Sequence, residues 1–334
     1  MPALKPLAIT MGEPGGVGPD IALQLYARRL KIDAAPFAIY APLAFLQKRA
    51  ERLGLDIKFK PVLPEYAIET FAEALPVVSL DGEVPDAPGE LSAANAPVVI
   101  TAIERAVADV RSGVMRGLVT APIQKSILYR AGFNFPGHTE FLAELCANGK
   151  AVPVPVMMLT AGTLRVVPVT VHVPLHEVAW RLTTKLIAQT GRIVHAALRD
   201  RLAIKTPRLA VTGLNPHAGE DGAMGDHEVK VIRPAIEALS AEGIDVTGPL
   251  PADTAFTPDN RTKYDAIIAM YHDQALIPIK ALAFDEAVNV TLGLPIIRTS
   301  PDHGTALALA GTGNASIKSF ANALRLADNL TRYG

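Results

Sequence analysis

The sequence of 334 residues contains a single cysteine, Cys146, and few aromatic residues, which make up 5% of the chain. One cysteine excludes an internal disulfide and any zinc site built from several cysteines. The 32 Lys and Arg residues nearly balance the 33 Asp and Glu residues, and no basic block or aromatic-interleaved basic stripe indicates a nucleic-acid surface. We therefore do not expect a nucleic-acid partner.

Long hydrophobic runs are also missing, and none approaches the length needed to span a membrane. The amino-terminal segment has one lysine and a short apolar run interrupted by Gly12, which does not suit a signal peptide. We therefore expect a cytoplasmic protein without a membrane partner. Apolar residues as a class are abundant, because 49% of the chain is hydrophobic, and this content predicts a large core divided between two lobes.

Short β-type runs alternate with longer helical patterns along most of the chain. The runs typical of strands are residues 7–11, 36–41, 76–80, 117–122, 156–160, 165–173, 208–214, 265–271 and 287–292. Helical patterns occupy residues 98–115, 176–202, 227–242 and 315–331. The first of them carries an amphipathic stripe of Ile100, Ile103, Val107 and Val110. The alternation predicts an α/β fold with a mostly parallel sheet and helices on its faces.

Three of the eight histidines stand at the ends of predicted strands: His172, His217 and His272. In an open α/β sheet, the carboxyl ends of the strands face the crevice that binds the ligand. One such histidine is more often structural, but three at equivalent strand ends predict a dispersed metal site with open coordination positions. Carboxylates that would orient the imidazoles are also available: Asp273, Glu220 and Asp253.

A second group of polar residues suits an anion. His138 and Thr139 open a predicted helix, where Thr139 is a candidate N-cap and the helix amides would face an anion. A plain helix start also explains Thr139, yet His138 adds a donor that capping does not need. Lys280, Asn289 and Arg298 follow the later strands. Each alone would suit a solvated surface, but together they predict a phosphate or carboxylate site.

Two glycine-containing segments interrupt the strand and helix pattern. Residues 12–20, GEPGGVGPD, follow a strand, but Ile21 stands where a dinucleotide fingerprint requires glycine, and the P-loop lysine is missing. A tight turn and an anion-binding turn are both consistent with this segment. Residues 302–315, DHGTALALAGTGNA, form a small-residue run that suits close backbone approach to a flat ligand or a flexible loop.

The second glycine segment is similar to the HG[ST]AP…AG…AN loop by which isocitrate and isopropylmalate dehydrogenases hold the adenosine half of their nicotinamide cofactor. Further motifs extend the similarity: ITMGEPGGVGPD, TAPIQK, FPGHTEFLA, TGLNPHAGEDG, PLPADT, MYHDQALIPIK and VNVTLGLPIIRTS. With them the chain resembles the 4-hydroxythreonine-4-phosphate dehydrogenase family from residue 8 to 315. The resemblance implies a two-lobed α/β/α sandwich of the isocitrate/isopropylmalate dehydrogenase-like fold, with the active site in the interlobe cleft.

The same resemblance implies a role for each lobe and for individual residues. Residues 1–125 and 300–334 would form the cofactor-binding lobe, and residues 126–299 the lobe that carries the metal, the substrate and the dimer interface. The implied metal ligands are His172, His217 and His272, the last from the neighbouring subunit of a homodimer. The implied substrate contacts are His138, Thr139, Lys280, Asn289 and Arg298. The implied cofactor contacts are His303, Gly304, Thr305, Ala306, Gly311 and Asn314.

The implied reaction is an oxidation by NAD or NADP with a divalent metal, Zn, Mg or Co. Its substrate would be 4-phosphooxy-L-threonine and its product 2-amino-3-oxo-4-phosphooxybutanoate, which decarboxylates to 3-amino-2-oxopropyl phosphate in pyridoxal 5′-phosphate biosynthesis. Lys280, Asp253 or water would take the hydroxyl proton. The family usually carries Asp or Glu where Ala308 stands, so the choice between NAD and NADP stays open.

Other functions are consistent with parts of this pattern. A related dehydrogenase would oxidise erythronate 4-phosphate or threonate 4-phosphate, or a dihydrodiol dicarboxylate, although the phosphate-type residues argue against the dicarboxylate. A metal-dependent hydrolase would also use three histidines with an open position, but it leaves residues 302–315 unexplained. A non-enzymatic binding module would not need metal-type and phosphate-type groups together.

Overall fold

The computed structural model describes residues 5–135, 137–147 and 149–332. These residues form two compact units. Unit 1 comprises the chain up to Pro155 together with Leu294–Arg332, and unit 2 is Val156–Gly293. Within the described ranges, no helix is both long and apolar enough to cross a bilayer.

Unit 1 is built on a parallel sheet. Its strands are β1 (Leu7–Thr10), β2 (Phe37–Ala41), β3 (Phe59–Pro61), β4 (Leu75–Ser79), β5 (Leu118–Thr120) and β12 (Arg298–Pro301). They lie in the order β3-β4-β2-β1-β5-β12, with parallel pairing throughout. Every residue of β1 and β2 is buried. Burial on both faces explains why their sequences are almost continuously apolar and not alternating.

Helices and short turns connect the strands of unit 1. The helices are α1 (Gly18–Ala27), α2 (Leu43–Arg52), α3 (Ala67–Thr70), α4 (Ala96–Arg111), α5 (Lys125–Arg130), α6 (His138–Ala147) and α13 (Lys318–Arg332), with 3-10 turns at Pro64–Tyr66, Ala93–Asn95 and Leu307–Leu309. Ile103, Val107 and Val110 of α4 are buried, whereas Ile100 is half-buried. The amphipathic stripe therefore lies where the spacing predicts, apart from its first residue.

The segment after residue 125 lies in unit 1, although the resemblance assigned it to the other lobe. Helix α6 packs against α4, and this contact holds residues 126–155 to the first unit. The two units divide at Pro155 and Leu294, and the roles that the resemblance implies for residues 1–125 with 300–334 and for residues 126–299 stay predictions. The sequence shows where helices begin, but it does not show against which sheet they pack.

Unit 2 contains a mixed sheet. Its strands are β6 (Val156–Ala161), β7 (Leu164–Thr170), β8 (Arg208–Thr212), β9 (Asp245–Leu250), β10 (Ala266–Tyr271) and β11 (Val288–Leu292). They lie in the order β11-β6-β7-β10-β8-β9. Strand β6 runs antiparallel to β11 and β7, and the other pairs are parallel. The β6–β7 hairpin turns at Gly162, which has a φ of 57° and so suits a tight turn.

The helices of unit 2 are α7 (Leu175–Arg181), α8 (Thr184–Asp200), α9 (Arg233–Ala241), α10 (Ala252–Ala255), α11 (Pro258–Arg261) and α12 (His272–Ala283), with a turn at Pro216–Gly222 and a π-helical turn at Glu228–Ile232. The single helix predicted over residues 176–202 is two helices. Leu182 adopts an extended conformation, and the Thr183 hydroxyl then caps α8 by accepting a hydrogen bond from the Leu186 amide at 3.1 Å. The predicted α/β class is confirmed.

Candidate active site

Two of the predicted metal histidines lie side by side in unit 2. Strands β7 and β10 are parallel neighbours with Thr170 opposite Tyr271, and the Thr170 hydroxyl donates to the Met270 carbonyl at 2.8 Å. His172 follows the end of β7 by two residues, and His272 follows β10 directly. Their ring centroids are 5.8 Å apart. The register of the two strands thus brings these imidazoles together.

A carboxylate fixes the orientation of His272. Its Nδ1 lies 2.7 Å from Oδ1 of Asp273. When the carboxylate is ionised, Nδ1 is the donor and the lone pair of Nε2 is left available to a metal ion. His172, His272 and Asp273 line one cavity of about 240 Å³, together with Leu175 and Val178. The cavity has therefore a polar end and an apolar wall.

His217 is placed differently from the other two histidines. It comes five residues after the end of β8, in a turn whose residues from His217 to Asp221 all have positive φ, between 43° and 76°. Within the described part of the chain, no three His, Cys, Asp or Glu side chains are arranged to hold a metal ion. A single chain therefore brings His172 and His272 together, and no third such side chain joins them to form a metal site in the described ranges.

Buried Glu228 holds the turn that carries His217. Its side chain is only 1% exposed. Oε1 accepts hydrogen bonds from the amides of Leu214 and Asn215, each at 2.8 Å, and Oε2 accepts one from the Asn215 side chain at 3.0 Å. Left-handed backbone is costly for residues other than glycine. These three contacts anchor the backbone directly before the left-handed residues.

The remaining predicted residues of unit 2 lie on separate elements. Lys280 is half-buried on α12, and Asn289 is half-buried on β11, where it pairs with Leu159 of β6. Asp253 is exposed on the short helix α10. Lys280 and Asp253 stay predictions as candidates for the general base.

A second cluster of polar groups lies in unit 1. Arg298 begins β12 and is buried, and its Nε and Nη2 donate to the Thr120 hydroxyl at 3.0 and 2.7 Å. Burial lowers the pKa of Arg298 to about 10. The pKa of His138 lies well below its usual value, first because of burial and then because Arg298 and Lys125 are nearby cations. Neutral His138, Arg298 and Lys125 together form a group that attracts an anion.

His138 itself has an unused polar atom. Its Nε2 is buried and has no hydrogen-bond partner among the described residues. Helix α6 begins at His138, so Thr139 lies inside the first turn and is not the N-cap that the sequence predicted. The physical reason is that Gly137 precedes the helix, and its carbonyl already accepts the helical hydrogen bond from the Phe141 amide at 3.2 Å.

The glycine-rich turn of residues 12–18 is packed against other backbone. The Gly15 amide donates to Glu13 Oε1 at 3.3 Å, the Gly16 amide to the Glu13 carbonyl at 3.0 Å, and the Val17 amide to the Thr305 carbonyl at 2.9 Å. A Cβ on Gly16 would lie 2.9 Å from the Thr305 carbonyl oxygen. These amides are already paired within the protein, and the structure therefore supports the tight turn and not the anion-binding turn.

Residues 303–314, which we call the 303–314 loop, run beside that turn. The Thr305 hydroxyl donates to Gln124 Oε1 at 3.1 Å, and the Gly311 amide donates to Asp20 Oδ2 at 2.6 Å. His303 Nδ1 lies 2.9 Å from the Gly304 carbonyl. Ala306 has a φ of 43° and starts a 3-10 turn. The small-residue run is thus a loop with defined contacts and not an open linker.

Comparison with known proteins identifies the family. The model of the family described as pyridoxal phosphate biosynthetic protein PdxA matches residues 33–327. The chain belongs to this family. A 4-hydroxythreonine-4-phosphate dehydrogenase from Bradyrhizobium diazoefficiens is 51% identical, over 98% of this chain and 97% of that protein. The predicted family resemblance is confirmed.

Solved structures agree with the PdxA family assignment. The crystal structure of 4-hydroxythreonine-4-phosphate dehydrogenase from Klebsiella pneumoniae has a TM-score of 0.85 and 35% identity, covering 98% of this chain and 100% of that one. A terephthalate 1,2-cis-dihydrodiol dehydrogenase from Burkholderia xenovorans has a TM-score of 0.67 and 26% identity, covering 97% and 98% of the two chains.

Some residues that contact the predicted site segments were missed from the sequence: Thr120, Lys125, Asp20 and Glu228. The TAPIQK motif contained a usable signal, because it follows a strand and contains Lys125 just beyond it. Glu228 had no such signal, since it lies in a helical pattern and acts on a turn that precedes it by more than ten residues.

Proposed function

We propose that this PdxA family member catalyses the NAD(P)-dependent oxidation of 4-phosphooxy-L-threonine to 2-amino-3-oxo-4-phosphooxybutanoate, which decarboxylates to 3-amino-2-oxopropyl phosphate. The step belongs to pyridoxal 5′-phosphate biosynthesis. Family membership over nearly the whole chain carries this proposal. The His172–His272 pair and the cationic cluster around His138 supply groups that this chemistry requires.

The phosphate of the substrate is assigned to the cluster of unit 1. Arg298 offers a charged guanidinium, and His138 offers an unused Nε2 atom. Thr139 lies in the first turn of α6, where backbone amides attract an anion. We add Lys125 to this site, because its ammonium is close enough to lower the pKa of His138. The family resemblance assigns Lys280 and Asn289 to the same substrate.

A divalent ion, Zn, Mg or Co, is assigned to His172, His272 and His217. Ring centroids 5.8 Å apart are compatible with two imidazoles on one ion, since Zn–N bonds are about 2.0–2.1 Å long. When bound, such an ion supplies Lewis-acid polarisation of the substrate hydroxyl oxygen. Asp273 orients His272. Lys280 or Asp253 takes the hydroxyl proton, either directly or through water.

The nicotinamide nucleotide is assigned to the 303–314 loop through His303, Gly304, Thr305, Ala306, Gly311 and Asn314. Ala308 is exposed on the 3-10 turn of this loop. An acidic residue at such a position accepts hydrogen bonds from the adenosine ribose and repels a 2′-phosphate. Alanine removes that discrimination, and use of both NAD and NADP is therefore part of the proposal.

A homodimer completes the proposal. Large apolar side chains on α7, on α12 and directly after α12 are exposed in the single chain, including Leu175 at 70%, Trp180 at 87%, Ile277 at 64% and Phe284 at 73%. Exposed apolar area of this kind is typical of subunit interfaces. Leu175 also lines the cavity of the histidine pair. A second copy of the chain that covers α7 would consequently lie beside His172 and His272.

Steady-state kinetics test the proposed substrate. The purified protein, loaded in turn with Zn, Mg or Co, is assayed with NAD or NADP against 4-phosphooxy-L-threonine, erythronate 4-phosphate and threonate 4-phosphate. We expect the highest kcat/KM with 4-phosphooxy-L-threonine. Lys125→Ala and Arg298→Ala should each lower it roughly ten- to a hundredfold, the usual effect of losing a charge-assisted contact to phosphate.

Other outcomes of the same assay separate the alternatives. A higher kcat/KM with either sugar-acid phosphate assigns the chain to that related dehydrogenase. Activity with a dihydrodiol dicarboxylate would match the structural relative from Burkholderia xenovorans. Product formation without reduction of NAD or NADP would indicate a hydrolase and would overturn the proposal. Undiminished activity of Lys125→Ala would remove that residue from the phosphate site.

A further inference from the structure

A buried ionic network lies behind the 303–314 loop. Arg49 of α2 and Asp20 of α1 both have fully buried side chains, and Nη1 of Arg49 donates to Oδ1 of Asp20 at 2.5 Å. The same guanidinium donates from Nη2 to the Pro14 carbonyl at 2.8 Å and from Nε to Asp86 Oδ1 at 2.5 Å. Buried ion pairs carry a large desolvation cost and are therefore weak candidates for devices that only add stability.

The network reaches the loop through Asp20. Its second oxygen, Oδ2, accepts the hydrogen bond of the Gly311 amide at 2.6 Å. Gln24, one turn later on α1, donates from Nε2 to the Gly313 carbonyl at 3.2 Å. Helix α1 thus holds the backbone at two points, in a stretch where glycine would otherwise leave the chain with wide conformational freedom.

Gly311 is also tightly enclosed. Its φ is +73°, and a Cβ at this position would lie 2.5 Å from Cγ of Pro88. Pro88 follows Asp86, which binds both Arg49 and Arg52. The contacts of the network and the enclosure by Pro88 therefore act on the same residue of the loop.

We propose that Asp20, held by Arg49, is a positioning residue for the nicotinamide nucleotide: it fixes the Gly311–Gly313 backbone in the shape that receives the adenosine half. This inference rests on the proposed assignment of the 303–314 loop to the nucleotide. A loop that is already ordered binds the nucleotide more tightly, because the entropy cost of ordering the loop is then not incurred on binding. Asp20 does not touch the nucleotide and acts through the Gly311 amide.

Asp20→Asn tests the inference in the full-length protein. An asparagine oxygen still accepts from Arg49, but its NH2 group then faces the Gly311 amide, so that donor meets donor. We expect the Kd for NADH, measured by titration calorimetry, to rise roughly ten- to a hundredfold, the range for a lost hydrogen bond to a charged group. KM for NAD should rise with little change in kcat, and amide exchange of Gly311–Gly313 should accelerate.

Asp328→Asn is the matched control. Asp328 pairs with Arg116 at 2.5 Å in the same unit, with both side chains nearly buried at 9% and 7% exposure. This variant should lose stability while its NADH affinity stays within twofold of wild type. An Asp20→Asn protein that loses as much stability as Asp328→Asn but binds NADH normally would overturn the positioning role.

Two further results keep the inference separate from the proposed function. If wild type binds neither NADH nor NADPH, the nucleotide assignment fails, whereas unchanged amide exchange of Gly311–Gly313 in Asp20→Asn overturns the positioning contact alone.

If Asp20→Asn does not fold, Gln24→Met replaces it, because methionine keeps the volume and removes the donor to the Gly313 carbonyl. A several-fold rise in the Kd for NADH would support the inference, and an unchanged Kd would contradict it.

Discussion

His138 is a half-buried side chain whose chemistry is set by its neighbours. Desolvation disfavours its charged form, and Arg298 and Lys125 face it as cations, so its pKa is well below the usual value. His138 is consequently neutral near pH 7. It can accept or donate one hydrogen bond at the buried Nε2 without adding charge to a site that already holds two cations.

The depressed pKa of His138 predicts a pH dependence of stability. The unfolded histidine takes up a proton near pH 6.5, whereas the folded one stays neutral, so stability is lost as pH falls below about 6.5 and is unaffected above it. His138→Gln removes this pH-dependent contribution to stability. We measure the free energy of unfolding by urea denaturation at pH 7.5 and at pH 5.5. The loss between the two pH values should be about 1 kcal/mol smaller in His138→Gln than in wild type.

A histidine outside the proposed sites and the proposed dimer interface provides the control for this comparison. His195 lies on α8 and is half-buried, and His195→Gln should keep the wild-type pH dependence. Equal losses of stability in wild type and His138→Gln between the two pH values would show that His138 is protonated in the folded protein.

At the level of secondary-structure elements, the sequence predicts where strands end, but it does not predict the conformation of the segments that connect them. Periodicity located β7 and β10, and the pairing of neighbouring parallel strands then brings His172 and His272 together. His217 also follows a predicted strand, but four residues lie between it and the end of β8. The conformation of that turn depends on Glu228, which approaches only after folding. No local pattern encodes such a contact.

The turn of residues 217–221 should depend on Glu228. Glu228→Ala leaves the Leu214 and Asn215 amides and the Asn215 side chain without their acceptor. Unpaired buried donors cost ~1–3 kcal/mol each, and we therefore expect the free energy of unfolding to fall by about 2–5 kcal/mol in chemical denaturation. Glu228→Gln retains one acceptor oxygen for the two backbone amides and should lose less.

A surface carboxylate serves as the matched control for Glu228. Glu242 forms an ion pair with Arg192 in which both side chains are more than 40% exposed, and Glu242→Ala should cost less than about 1 kcal/mol. The structural account of the turn fails if Glu228→Ala is no less stable than Glu242→Ala. It also fails if Glu228→Gln loses as much as Glu228→Ala.

For the whole molecule, the family was predictable because its motifs are spread over nearly the whole chain, whereas the assembly of the site was not. The sequence shows which histidines follow strands, but a residue pattern does not show which chain supplies each ligand. The structure brings the rings of His172 and His272 to a centroid distance of 5.8 Å in one chain. The resemblance assigns His272 to the site of the neighbouring subunit, and this assignment stays a prediction. In a second arrangement, His172 and His272 of one chain share a site that His217 of the partner subunit completes.

Subunit mixing distinguishes these two arrangements. Three inactive variants, His172→Ala, His217→Ala and His272→Ala, are combined in pairs under conditions that exchange subunits. If His172 and His272 serve one site and His217 of the partner subunit completes it, either of the first two mixed with His217→Ala gives hybrids with one intact site. Random exchange then restores about a quarter of the wild-type activity and bound zinc, because half of the dimers are hybrids. His172→Ala mixed with His272→Ala should stay inactive, since both hybrid sites carry a defect. If His272 instead comes from the neighbouring subunit, His172→Ala mixed with His272→Ala recovers activity, whereas His172→Ala mixed with His217→Ala stays inactive. Hybrids shown by native mass spectrometry to form without any recovery in any pair would mean that each chain builds its own site.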